Sequence, residues 1–156
     1  MKTTKVAILG ATSHIAKGLI THFLKGGGFR LHLYTRSPDK IRSFLDVIGK
    51  SAEKAYVIHE GYSNITKCSY DVIINSVGVG TMNKLQGDYT RYFTVTEEYD
   101  NLAIRYLRDV CPGTLYISFS SGVVYGREHV APVEEDSLNH VKVNRIAPED
   151  YYAIVR

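Results

Sequence analysis

Lys5-Val6-Ala7-Ile8-Leu9-Gly10-Ala11-Thr12-Ser13-His14-Ile15-Ala16 is the stretch on which the reading of this chain turns. The apolar run 5–9 has the character of a strand buried on both faces of a parallel sheet. Gly10 turns the chain, and residues 14–25 carry a helical pattern, so the turn opens a helix. A helix start leaves amide groups without an intrahelical partner and carries positive dipole charge, which suits phosphate. Gly10 has no side chain, so the backbone can turn sharply and a pyrophosphate can come close. The spacing is G-x-x-S-x-x-A, with Ser13 and Ala16 as small residues where a three-glycine turn carries two more glycines. Taken alone, one glycine between a strand and a helix fits a plain turn as well as a nucleotide site.

The chain on either side alternates strand and helix. The first helix pattern has Ile15, Leu19, Phe23 and Leu24 as its apolar stripe, and Gly26-Gly27-Gly28 stops it. Residues 29–35 read as a second strand. Ser37-Pro38 then opens a helix with Ser as N-cap, Pro at the first position and Asp39 in the first turn. Its stripe is Ile41, Phe44, Leu45 and Ile48, with Gly49 as the stop. Residues 55–58 read as a third strand, 61–68 as a turn or poor helix, and 71–75 as a fourth strand with an apolar centre. Residues 77–80 form a loop. The stretch 88–110 holds a long helix, best defined over 97–110, with Leu102, Ile104, Tyr106, Leu107 and Val110 as apolar positions. Pro112-Gly113 ends it, 114–119 is a fifth strand, 126–147 is polar and irregular, and Pro148-Glu149-Asp150 opens another helix. This alternation predicts an α/β, doubly wound parallel sheet of the Rossmann type with strand order 3-2-1-4-5. A ligand then belongs at the carboxyl ends of strands one and four, where the order reverses.

With 156 residues the chain reads as a single dinucleotide-binding domain over 1–156. An apolar share of 44% against 22% charged argues against disorder. The net charge of +3 is spread rather than gathered into a run, which gives no support for a nucleic-acid partner. Cys68 and Cys111 are far apart and not in a C-x-x-C, so they read as reduced thiols of a cytoplasmic protein, and no metal site is expected. No apolar stretch approaches the roughly 20 residues needed to span a bilayer.

Three further places carry chemistry. The second strand ends Tyr34-Thr35-Arg36-Ser37, where a dinucleotide fold meets the adenine ribose. An acidic residue there would hold a 2′-hydroxyl; Arg36, with Ser37 and Lys40 nearby, suits a 2′-phosphate. NADP is therefore the expected cofactor, with NAD as the alternative. The fourth strand ends Asn75-Ser76-Val77-Gly78, small residues against which a cofactor ribose could lie, or an ordinary strand exit. The fifth strand runs into Ser118-Phe119-Ser120-Ser121-Gly122-Val123-Val124-Tyr125-Gly126.

This Ser-Ser-x-x-Val-Tyr-Gly element resembles the fifth-strand motif of the extended short-chain dehydrogenase/reductases, the NAD(P)-dependent sugar epimerase/dehydratase family. Gly10-Ala11-Thr12-Ser13-His14-Ile15-Ala16 is similar to that family's G-A-T-G-x-I-G with two glycines replaced. The resemblance covers essentially the whole chain in order and implies that Gly10, Thr12, Ser13, His14, Ile15, Arg36, Asn75, Ser76 and Val77 bind the cofactor. It implies a catalytic serine at Ser121, five residues before the Gly of Tyr125-Gly126. It also implies a catalytic tyrosine at Tyr152, in a Tyr-x-x-x-Lys pair whose lysine is here Arg156. A phenol with pKa near 10 is a poor base at neutral pH, and a cation one turn away stabilises its phenolate. Arg supplies that charge but takes no part in a proton relay. The implied activity is that of an oxidoreductase or epimerase/dehydratase acting on a nucleotide sugar or similar hydroxyl or carbonyl compound. The competing reading is a catalytically silent dinucleotide-binding or sensor module. Family members extend well beyond this length, so the C-terminal part of the family fold is expected to be absent, with self-association through the surface it would have covered.

Overall fold

The computed structural model describes residues 2–50, 54–79, 85, 87–126, 132–138, 143–148 and 150–155. Its strands are β1 (Thr4–Leu9), β2 (Phe29–Thr35), β3 (Tyr56–Glu60), β4 (Val72–Asn75) and β5 (Leu115–Ser118), with helices α1 (His14–Gly26), α2 (Pro38–Val47), α3 (Arg91–Asp109) and α4 (Asp150–Ile154). Single 3-10 turns occupy Ile65–Lys67, Gly122–Tyr125 and Val143–Arg145. The strands form one sheet in the order β3-β2-β1-β4-β5, and every pairing is parallel. The order predicted from the alternation is the order found.

By contact the chain groups into two compact units, Met1–Val77 with Tyr99–Ser118, and Gly78–Glu98 with Phe119–Arg156. The first contains the sheet. Its register sets Leu9 opposite Tyr34 on one side and Asn75 on the other, so Gly10 leaves the sheet between the ends of β2 and β4. Alternation sends Val6, Ile8, Leu31 and Leu33, all buried, to one face, where α1 approaches β2 and α2 approaches β3. The opposite face gathers Ala7, Leu9, Tyr34 and Ile73 into a cluster with Ile65, Tyr70, Ala103 and Tyr106. This core is aromatic and hydroxyl-bearing. The Tyr34 and Tyr70 hydroxyls are hydrogen-bonded to each other. The Tyr106 hydroxyl accepts the Tyr70 N–H and donates to the Cys68 carbonyl, each at 3.0 Å. Also on this face His32 Nδ1 lies 3.0 Å from His59 Nε2, and the His59 ring stacks on Tyr34 at 4.4 Å between centroids. Cys68 and Cys111 are free and partly buried against this core.

Two helix stripes differ from the sequence expectation. α1 buries Ala16, Ile20 and Leu24 and leaves Ile15 half exposed. Ala16 and Ile20 take the inward positions expected of Ile15 and Leu19, while Leu24 is buried as expected. α3 buries Tyr92, Tyr99, Ala103 and Tyr106, while Ile104 on it and Val110 just past its end are exposed. It also begins at Arg91, ahead of the expected 97, where the Asp88 side chain accepts the Thr90 N–H and the Thr90 carbonyl accepts Thr94. β3 runs 56–60 rather than 55–58, a shift within the usual fraying of element ends.

In the second unit Leu85 and Tyr92 are buried, and Tyr151 packs its ring against Tyr89 and Phe93. Among the described residues no helix is long and apolar enough to cross a membrane.

Candidate functional site: three strand ends and a glycine turn

Gly10 adopts φ +71°, a conformation that L side chains rarely hold. A β-carbon placed there would lie 3.0 Å from Val77 Cγ2 and 3.1 Å from both the carbonyl carbon and oxygen of Ser76. Glycine is therefore required twice, by the turn and by the close approach of the β4 exit. The turn closes through the Ser13 N–H on the Gly10 carbonyl at 2.9 Å and the Ala11 N–H on Tyr34 at 3.0 Å. Ser13 is the N-cap of α1, its Oγ accepting the Ala16 N–H at 3.1 Å. The amides of His14 and Ile15, the first two of the helix, have no carbonyl four residues back inside it and lie on exposed residues. Thr12 and Ser13 are half-buried beside them.

At the end of β2, Thr35 is buried and its Oγ1 accepts the Ser37 N–H at 3.0 Å, leaving Arg36 exposed beyond it. Ser37 does occupy the N-cap of α2, but its side chain makes no capping bond. After β3, the Gly61 N–H donates to the Thr35 carbonyl at 2.8 Å, which carries Tyr62 back toward β1. Tyr62 lies within range of the Arg36 charge; burial raises the phenol's pKa, and the guanidinium opposes that rise. The Tyr62 ring also meets Tyr99 edge-on at 4.8 Å. Tyr62 was not singled out from sequence. The signal that could have found it is its position just past a strand that neighbours β2 in the expected order.

At the end of β4, Asn75 is 3% exposed and its side chain points into the protein. Its Nδ2 donates to Asp100 Oδ1 at 3.0 Å and to the Tyr116 hydroxyl at 3.1 Å, and its Oδ1 accepts the Val77 N–H at 3.0 Å. Tyr116 in turn donates to Asp100 at 2.5 Å, and burial followed by this bond pushes its pKa up to about 12. The side chain of Asn75 is thus engaged with protein groups; beside Gly10 the strand presents Ser76 and Val77. The Ser76 N–H donates to the Leu9 carbonyl at 3.0 Å, while its buried Oγ has no hydrogen-bond partner among the described residues.

The second unit carries the other expected residues. Ser121 is the N-cap of the Gly122–Tyr125 turn, its side chain accepting the Val123 N–H. α4 packs against that turn, so the elements bearing Ser121 and Tyr152 are neighbours. The Tyr152 ring tilts against Tyr92 at 5.2 Å. Arg156 lies outside the described residues. Among the described residues no group of three His, Cys, Asp or Glu side chains could hold a metal ion.

A turn that any side chain would fill, free helical amides beside it, an orphaned buried hydroxyl and an exposed guanidinium at the next strand end together suit an extended anionic ligand laid across the strand ends.

No protein-family model matches the chain, and no curated protein matches it in sequence. Solved structures do. A UDP-glucose-4-epimerase from Stenotrophomonas maltophila, with bound NAD and formylated UDP-arabinopyranose, superposes with a TM-score of 0.76 at 16% identity, over 97% of this chain and 45% of that one. A UDP-glucose 4-epimerase from Bifidobacterium longum, in complex with NAD+ and UDP, gives 0.75 at 16% identity over 97% and 45%. A UDP-glucuronic acid 4-epimerase from Bacillus cereus, in complex with UDP-glucuronic acid and NAD, gives 0.74 at 16% over 97% and 48%. The likeness establishes the fold, which is that of the N-terminal portion of these epimerases. The chain spans less than half the length of each.

Proposed function

We propose that this chain binds a nicotinamide dinucleotide across the carboxyl ends of β1, β2 and β4, with NADP preferred over NAD. The observation that carries the reading is Gly10, at φ +71° with the β4 exit packed 3.0 Å from where its β-carbon would be. It stands at the point where the strand order reverses, and the first amides of α1 lie beside it. Gly10, Thr12, Ser13, His14 and Ile15 receive the pyrophosphate, and Ser76 and Val77 flank it, with Asn75 behind them. Arg36, exposed past β2, pairs with the 2′-phosphate of the adenine ribose. The structural neighbours that were solved with NAD support the cofactor class.

The further proposal is that the whole protein is an oxidoreductase or epimerase/dehydratase acting on a nucleotide sugar or a related hydroxyl or carbonyl compound. A bound nicotinamide supplies a hydride acceptor or donor. Ser121 hydrogen-bonds the reacting oxygen. Tyr152 moves a proton to or from it, with the positive charge of Arg156 favouring the phenolate. Arg156 stabilises charge without exchanging protons, so the proton passes between Tyr152 and substrate or solvent.

Calorimetric titration with NADPH and NADH tests the cofactor assignment. NADPH is expected to bind at least tenfold more tightly, and Arg36→Ala to remove most of that difference while leaving NADH unchanged. Equal affinities in the wild type would refute the role given to Arg36, and binding of neither would refute the site.

A further inference from the structure

We propose that Asp100 and Tyr116 are positioning residues for the dinucleotide turn: they fix the orientation of the Asn75 amide and, through it, the seat of Val77 against Gly10. This rests on the reading of that turn as the dinucleotide site.

The argument follows from which groups can donate. A carboxylate only accepts hydrogen bonds. The Tyr116 hydroxyl has one proton and gives it to Asp100 Oδ1 at 2.5 Å, so toward Asn75 it too presents an acceptor. Asn75 therefore faces two acceptors, at 3.0 and 3.1 Å, and only its NH2 end satisfies both. The carbonyl end is then forced toward the Val77 N–H, which it accepts at 3.0 Å. A flipped amide would set oxygen against two acceptors and NH2 against an N–H. At 3% exposure, Asn75 has little water to compensate for that loss.

The consequence reaches the turn. Val77 is held by this bond, and the preceding residue by the Ser76 N–H on Leu9. These two points fix the segment whose atoms lie 3.0–3.1 Å from a β-carbon at Gly10. Asp100 and Tyr116, on α3 and β5, thereby set one wall of the turn through Asn75.

The test exchanges the polarity of the pair. Asp100→Asn offers Asn75 a partner that can donate or accept, so the amide is no longer fixed. Asn75→Asp places two carboxylates within hydrogen-bonding distance. The double variant Asn75→Asp/Asp100→Asn restores the pattern, with the new carboxylate accepting from Val77 and from the new amide. Two readouts are taken on the full chain: hydrogen exchange of the Val77 amide without ligand, and NADPH affinity. Each single variant is expected to speed Val77 exchange and weaken NADPH binding by roughly tenfold, the scale of one buried hydrogen bond. The double variant should recover both to within about threefold of wild type. Tyr116→Phe, which keeps the Asn75–Asp100 bond and loses both bonds of the Tyr116 hydroxyl, should give a smaller loss in both, and it carries the test if Asn75→Asp does not fold. Unchanged Val77 exchange in Asp100→Asn would overturn the proposal. So would a double variant that recovers Val77 protection but not affinity. If Val77 responds as expected but the wild type binds neither NADPH nor NADH, the dinucleotide reading fails and takes the positioning role with it. That result differs from the first two, in which wild-type binding is intact.

Discussion

Acid should destabilise this fold through His32, and the size of the effect can be worked out. His32 is 8% exposed and hydrogen-bonded to His59. Its pKa is lowered from 6.5 to about 4, first by burial, then by the neighbouring charges of His59, Arg30 and Lys5. Burial lowers the His59 pKa as well. A base with a depressed folded pKa binds its proton more readily in the unfolded chain. Stability is therefore full above about pH 6.5, falls as pH drops toward 4, and loses nothing more to this group below that. Between pH 7 and pH 4 the linkage for these two pKa values comes to about 3 kcal/mol from His32 alone. That is a large share of the stability of a small domain, which is about 5–15 kcal/mol. Urea unfolding at a series of pH values, on the wild type and on His32→Gln, isolates the term together with its coupling to His59, because the remaining titrating groups are common to both. Glutamine can still donate to His59. The variant is expected to be the less stable near pH 7 and to gain about 3 kcal/mol relative to wild type by pH 4. Parallel curves would refute the assignment of acid sensitivity to His32.

Two further substitutions probe the fold. Gly10→Ala forces an L side chain into φ +71° and a contact at 3.0 Å, and should cost about 2–3 kcal/mol in urea unfolding at pH 7; a loss below about 0.5 kcal/mol would contradict the turn geometry. Tyr106→Phe keeps the ring but strips partners from the Tyr70 N–H and the Cys68 carbonyl, and should cost about 1–3 kcal/mol by the same measurement.

The sequence made the sheet legible because both faces of its central strands are covered. Runs such as Val6–Leu9 and Val72–Ile74 stay apolar without alternation and mark themselves as interior. The glycine turn was legible for a different reason: only one residue type tolerates what Gly10 does. The helix stripes were read less well. A search for large apolar side chains finds Leu24 but prefers Ile15 and Leu19 to Ala16 and Ile20, the positions that are buried. Asn75 shows a second limit. A polar residue at a strand end beside the switch point reads as a ligand contact, while its partners Asp100 and Tyr116 are far along the chain and become visible only when α3 and β5 are in place. Tyr62 meets Tyr99 edge-on from far along the chain, a relation that no local spacing encodes.

The link between β3 and β4 carries only one 3-10 turn, Ile65–Lys67, where the crossovers from β1 and β2 carry full helices. Every residue of β3 is half-buried or exposed, and the stacked rings of His59 and Tyr34 provide part of its cover. Stability in this sheet is therefore graded, highest along β1 and lower at its two edges, β5 being the more exposed of them, and the β3 edge should open in local fluctuations before the whole unit does. Tyr62, just past that edge, lies within range of the Arg36 charge at the end of β2. A ligand held there would quiet the edge, and its affinity would carry an ordering entropy as well as contacts, rising on cooling more steeply than the contacts alone require.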